Sequence, residues 1–97
     1  MKLVWTRLAI EDLDDAYEYI AATNPGAAAD IIERIEKAVA ALRLTPSMGR
    51  LGRLDGTREL VITPPFIVPY RVAEERIEII AVIHAARRWP DRYLLTR

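Results

Sequence analysis

His84 is the only side chain in these 97 residues whose unperturbed pKa, about 6.5, lies near neutrality. It stands at the exit of the last apolar run, where a site can open. Arg58, Arg71 and Arg87 supply guanidinium forks and Tyr93 a phenol. Metal-independent cleavage of RNA at a 2′-hydroxyl requires a base, an acid and cations that offset charge on the phosphate, and these five residues are of the right types. A second chemistry is open to the same stretch. Arg87, Arg88 and Trp89 are consecutive, and an aromatic beside arginines is the composition of protein interfaces. Each residue also has a plain structural alternative: His84 as a hydrogen-bonding residue at a sheet end, Trp89 as a side chain packed under the tail.

The length is that of one small domain, residues 1–97, and the hydrophobic fraction of 52% with 29% charged residues predicts a packed core. There is no cysteine and one histidine, so neither a thiolate metal site nor a histidine cluster is available, and no metal or cofactor is expected. The absence of a long apolar run and of a basic, then apolar, N-terminus predicts a cytoplasmic protein without membrane attachment. Net charge is zero but unevenly placed: residues 1–43 hold 5 basic and 8 acidic side chains, residues 44–97 hold 9 and 6. Of the 14 basic residues 12 are arginine, which grips carboxylates and phosphates bidentately where lysine offers a point charge.

The elements that must position these groups follow from periodicity. Leu3, Val4 and Trp5 form a β-prone run, and Thr6 offers a cap for the helix that follows. Ala9, Leu13, Ala16, Tyr17 and Ile20 recur at helical spacing, with Glu11, Asp12, Asp14, Asp15 and Glu18 read as an acidic outer face. That face is most simply solvated; its other reading is a docking surface for arginines of a partner. Asn24 and Pro25 start a second helix with a stripe of Ala28, Ile32, Ile35, Val39 and Leu42, so the two helices form a hairpin that ends before Pro46. Residues 47–57 contain three glycines and read as an exposed loop. Runs at Arg58 to Thr63, Phe66 to Val72 and Arg76 to Ile83 predict a three-stranded antiparallel meander, broken by Pro64-Pro65 and by Ala73-Glu74-Glu75. Ile77, Ile79, Ile80, Val82 and Ile83 load both faces of the last run, so it is expected to be central and covered on both sides, the second side by the tail, the loop or a partner chain. Pro69 is a misfit within its run and predicts an edge or a bulge. The expected fold class is therefore α+β, ordered β-α-α-β-β-β.

That order resembles the RelE/ParE superfamily of toxins, and specific residues add to the likeness. Members show W-x3-A-x2-D-L, then P-x-x-G, G-x-R-E, Y-R-V and a late I-x-x-V-x-H-x-x-R. This chain has Trp5, Ala9, Asp12 and Leu13; Pro46 and Gly49; Gly56, Arg58 and Glu59; Tyr70, Arg71 and Val72; and Ile79, Val82, His84 and Arg87. The resemblance implies a growth-inhibiting toxin of a type II toxin-antitoxin system, held inactive by a cognate antitoxin in a hetero-oligomer.

The superfamily holds two activities, and fold alone does not choose between them. RelE-like members cut messenger RNA on the ribosome; ParE-like members bind and poison DNA gyrase. Arg87 and Tyr93 look like the arginine and tyrosine pair of the ribonucleases. Those enzymes, however, carry an arginine within the third run, as in Y-R-L-V-Y, where Phe66-Ile67-Val68-Pro69-Tyr70 stands here, and lysines before it that this chain lacks. The ending I-H-A-A-R-R-W-P is similar to ParE-like members. The balance leans to a ParE-like binder whose contact residues are Arg58, Arg71, His84, Arg87, Arg88 and Trp89; the alternative is a RelE-like, metal-independent endoribonuclease of messenger RNA on the ribosome, using His84, Arg87, Tyr93, Arg58 and Arg71.

Overall fold

The computed structural model describes residues 1–62 and 66–84. Thr63, Pro64 and Pro65, and with them the expected end of the first meander strand and its proline break, lie outside the described residues. Within them the chain runs β1 (Lys2–Trp5), α1 (Arg7–Ala21), α2 (Pro25–Ala41), β2 (Arg50–Leu51), β3 (Arg58–Ile62), β4 (Phe66–Ala73), β5 (Arg76–Ile79) and β6 (Ile83–His84). No helix among the described residues is long and apolar enough to cross a membrane.

Both helices begin where their caps place them. The Thr6 hydroxyl accepts the Ala9 N–H at 3.2 Å, and the Asn24 side chain accepts that of Ala27 at 3.1 Å with Pro25 in the first helical position. The second helix ends at Ala41, and bonds from Leu42, Arg43 and Leu44 to carbonyls three residues back tighten the chain before Pro46.

The α+β expectation holds, with a mixed sheet in the order β1-β5-β4-β3-β2 and β6 extending the β5 side of β4. The strands β3, β4 and β5 form the antiparallel meander, and β1 lies parallel to β5, Lys2 opposite Arg76 and Trp5 opposite Ile79. Ala9 of α1 and Ile35, Val39 and Leu42 of α2 and its cap pack against Leu60, Ile62, Phe66, Val68, Tyr70, Ile77, Ile79 and Val82 on one face of the sheet. Burying such a face is what stabilises two short helices that would be marginal alone.

Three expectations need correction. The segment 47–57 is not simply an exposed loop: Arg50 and Leu51 add an edge strand to β3, and Gly49 and Thr57 are buried. The run Arg76 to Ile83 is not one strand. Tyr70 faces Ile79 while Ile67 faces Ile83, so three steps along β4 match four along the other side, a one-residue bulge. The bulge explains why adjacent Ile79 and Ile80, and adjacent Val82 and Ile83, are all buried: each pair divides between the main core and a second cluster of Ile67, Ile80, Ala81 and Ile83. Leu8 and Leu54 pack on that second cluster, so the 47–57 segment does supply part of its cover.

Pro69 sits at the bulge within a central strand. Its carbonyl accepts the Ile80 N–H at 2.9 Å, so its missing donor faces the same side. There the Ile80 carbonyl takes a hydrogen from the Thr6 hydroxyl at 3.1 Å instead. The third correction is Asp12, which belongs to the site.

Candidate functional site

At about 100° per residue, Asp12 stands roughly 60° from Ala9 on the helical wheel, on the flank of α1 that meets the sheet. It is 2% exposed rather than part of a solvated acidic face. Its Oδ2 accepts the Val82 N–H at 3.0 Å, a backbone donor that the bulge turns out of the strand ladder. Tyr17, placed by periodicity in the core stripe, lies about 80° away on the other flank and is 43% exposed. A charge-assisted bond to a buried carboxylate thus ties α1 to the exit of the central strand.

That exit presents His84. Its exposed ring meets Phe66, its partner across β4 and β6, edge to face at 5.8 Å and 75°. A cleft of about 300 Å³ opens between α1 and this corner, lined by Asp12, Asp15, Ala16 and Tyr19 from the helix and by Phe66, Val82 and His84 from the sheet. Two carboxylates, an exposed phenol and an imidazole therefore share one concave surface, the usual form of a binding site.

Of the arginines expected beside His84, Arg58 and Arg71 are elsewhere. The Arg58 guanidinium donates to the carbonyls of Gly49, at 2.8 Å, and Ser47, at 3.3 Å. It faces the 46–49 turn from a position opposite Tyr70, four residues along β4 from Phe66, about 13 Å at ~3.3 Å per residue. Arg71 lies a residue farther on and, sharing parity with Ile67 and not with Phe66, on the opposite sheet face. It reaches across the strands to Glu78, with Nε at 2.8 Å and a terminal nitrogen at 2.6 Å from Oε1, while Arg76 takes Oε2 at 3.1 Å. The hydrogen bonds from Arg71, then the charges of Arg71 and Arg76, hold the Glu78 carboxyl below its ordinary pKa against the opposing effect of burial.

A parallel cluster sits at the β2 edge. Glu59, 1% exposed, accepts from Arg50 at 3.0 Å and from the Arg53 backbone N–H at 3.0 Å, with the Arg53 guanidinium at 3.6 Å. Each of these two carboxylates is held by two arginines. The four arginine side chains remain about half exposed, which makes this sheet face basic.

Arg87, Arg88, Trp89 and Tyr93 lie outside the described residues. Of the residues that sequence reasoning singled out for chemistry, the structure places His84 in the cleft and Arg58 and Arg71 away from it. Asp12 and Asp15 were read only as part of an acidic helix face, solvated or docking a partner, and Tyr19 was not singled out. The signal for Asp12 was its spacing of three and four residues from Ala9 and Ala16; Asp15 was marked only by the acidic run, and nothing local marked Tyr19.

Residues 3–89 match the model of the ParE toxin of type II toxin-antitoxin systems, parDE. The chain is 43% identical over 91 residues to Y4kP of Sinorhizobium fredii, covering 93% of this chain and 94% of that one. It is 37% identical over 86 residues to toxin RelE2 of Caulobacter vibrioides, covering 89% and 97%. Among solved structures, the chromosomal ParDE TA system from P. aeruginosa superposes with a TM-score of 0.81 at 31% identity, over 87% of this chain and 95% of that one. These matches run over nearly the whole length, and the chain belongs to the ParE toxin family of type II toxin-antitoxin systems.

Proposed function

We propose that this toxin arrests growth by binding and poisoning DNA gyrase rather than by cutting messenger RNA. One observation carries the reading: the described groups that a phosphodiester cleavage would need do not converge. His84 opens into the α1 cleft, Arg58 is spent on turn carbonyls, and Arg71 is on the other face. Ile67, where the ribonucleases carry an arginine, is 4% exposed within an apolar cluster of Ile80, Ala81 and Ile83. An uncharged branched side chain there cannot offset charge gathering on a phosphate, a contribution worth ~3 kcal/mol or about a hundredfold in rate. The ParE match favours the same reading.

What remains is a binder with a basic sheet face carrying Arg50, Arg53, Arg71 and Arg76, suited to steer toward an anionic target surface. Arg87, Arg88 and Trp89 are proposed to extend that contact. The toxin works in the cytoplasm, and its antitoxin neutralises it in a hetero-oligomer.

The test uses purified toxin in two assays. With gyrase and plasmid DNA, the expected result is loss of supercoiling and accumulation of cleaved DNA. With translating ribosomes, primer extension is expected to show no new messenger ends. Ribosome-dependent cuts abolished by His84→Ala or Tyr93→Phe, with gyrase unaffected, would establish the ribonuclease reading and refute this one.

A further inference from the structure

We propose that the basic face of the sheet binds the phosphate backbone of duplex DNA, so that the toxin holds to the DNA on which gyrase works as well as to the enzyme. The inference deepens the gyrase reading and rests on it for why DNA is at hand; the binding itself is argued from this chain's own arginines.

The face is built in two layers. Glu59 and Glu78 form the inner one, their side chains 1% and 18% exposed, and Arg50, Arg53, Arg71 and Arg76 close over them with side chains about half exposed. Each carboxylate offsets one of its two arginines and fixes both, so each cluster keeps a surplus of one positive charge. Lys2, exposed and opposite Arg76 across β1 and β5, adds another on the same side. An incoming group therefore meets cations first, with the negative charge beneath them. Guanidinium forks suit phosphate oxygens, and forks already held in place lose less freedom on binding.

Spacing argues for duplex DNA as the partner. Glu59 faces Pro69, and Arg71, two residues farther along β4, faces Glu78. Two strand spacings of ~4.8 Å and an offset of two residues at ~3.3 Å each put the clusters about 12 Å apart. The B-form major groove is ~12 Å wide, so the two clusters can take phosphates on its two sides. The narrow major groove of A-form RNA does not offer that span. The aromatic residues of the described strands, Trp5, Phe66 and Tyr70, all pack into the core on the opposite face. The basic face thus lacks both the stacking platform of single-strand binders and the aromatic anchor that centres a protein interface.

The experiment measures binding of the full-length toxin to a fluorescent B-form duplex of about 20 base pairs and arbitrary sequence, by anisotropy across salt concentration and without gyrase. The expected dissociation constant is on the order of 10–100 µM in ~50 mM salt, with a log–log salt slope of about −3 to −4, as four phosphate contacts imply. Arg71→Gln is expected to weaken binding about threefold or more and to reduce the slope by about one. Glu78→Gln, which removes negative charge and keeps an acceptor for Arg71, is expected to tighten binding by a comparable factor. A damaged fold cannot tighten binding, so this variant separates charge from structure. Arg34→Gln, the same charge change at an exposed position of α2, is expected to cost less than about twofold. A wild-type dissociation constant above about 1 mM, equal losses in Arg34→Gln and Arg71→Gln, a weaker Glu78→Gln toxin, or tighter binding to an A-form RNA duplex of the same length would overturn the proposal. A second arm measures the toxin on DNA-free gyrase, where Arg71→Gln is expected to change nothing. A loss there with none on the duplex would give the face to an acidic surface of the enzyme and overturn the proposal too. A toxin that binds the duplex and leaves supercoiling intact would sink the gyrase reading and not this one; a gyrase poison that ignores the duplex would do the reverse.

Discussion

Replacing Tyr70 by phenylalanine removes one oxygen from a side chain that is fully buried in β4, and leaves its ring contacts in place. That oxygen accepts the Gly49 N–H at 2.9 Å and donates to the Pro46 carbonyl at 2.7 Å, so it closes the turn between α2 and β2. The approach is close: a Cβ on Gly49 would stand 2.7 Å from Tyr70 Cε1, which is why glycine is required there. Gly49 is buried, so its N–H would lose its partner without gaining water, at about 1–3 kcal/mol, whereas Pro46 is partly exposed and its carbonyl can be hydrated at little cost. The expected loss is about 2 kcal/mol. For a domain of this size each kcal/mol lowers Tm by about 4–8 °C, so the variant should melt roughly 10–15 °C earlier, with the urea m-value unchanged. Hydrogen exchange should show the Gly49 amide losing protection. A loss below about 0.5 kcal/mol with that amide still protected would mean that something other than the Tyr70 hydroxyl holds the turn, and would refute the reasoning.

Three further outcomes follow from the same structure. Asp12→Ala orphans the Val82 N–H and should cost about 2–3 kcal/mol in urea unfolding, while Asp12→Asn, which keeps an acceptor but not the charge, should cost about half as much; equal losses would show that the Val82 bond is unimportant. Arg58→Ala should lose about 1–2 kcal/mol of stability through its two turn carbonyls, and toxicity only in proportion to unfolding; a fully folded Arg58→Ala toxin without toxicity would place Arg58 in the target contact instead. The Glu78 carboxyl is held below its ordinary value of 4.5, so its contribution is fully present above that pH and lost as pH falls through the lower folded value. Because Arg71 is half exposed, the effect should stay below about 1 kcal/mol, and Glu78→Gln should flatten the stability curve only below pH 4.5; an unchanged curve would contradict the pairing.

Much of the fold is written in residues close together along the chain. Thr6 and Asn24-Pro25 start the helices through bonds that span three residues, and the stripes from Ala9 and Ala28 identify the faces that meet the sheet. Alternation identifies β3 and β4, and the adjacent isoleucines at 79 and 80 show that two faces are buried without showing how. The how is a bulge, and it depends on contacts between distant segments: Thr6 and Asp12 reach the carbonyls and N–H of residues 79 to 82.

The site was legible to a smaller extent for the same reason. Sequence order and motif spacing carry the family, because they record which elements follow one another. They do not record where a side chain's charge ends. Arg58, Arg71 and His84 are alike in being polar residues in or beside β-prone runs, yet β4 sends Arg71 and Phe66 to opposite faces, a turn carbonyl takes Arg58, and only His84 reaches the cleft. Asp12 and Asp15 stand three residues apart in one acidic run, and the sheet packed against α1 buries the first and leaves the second exposed. Local periodicity determined the elements; which charges meet, and which remain for a partner, was decided by the packing of segments as many as 74 residues apart.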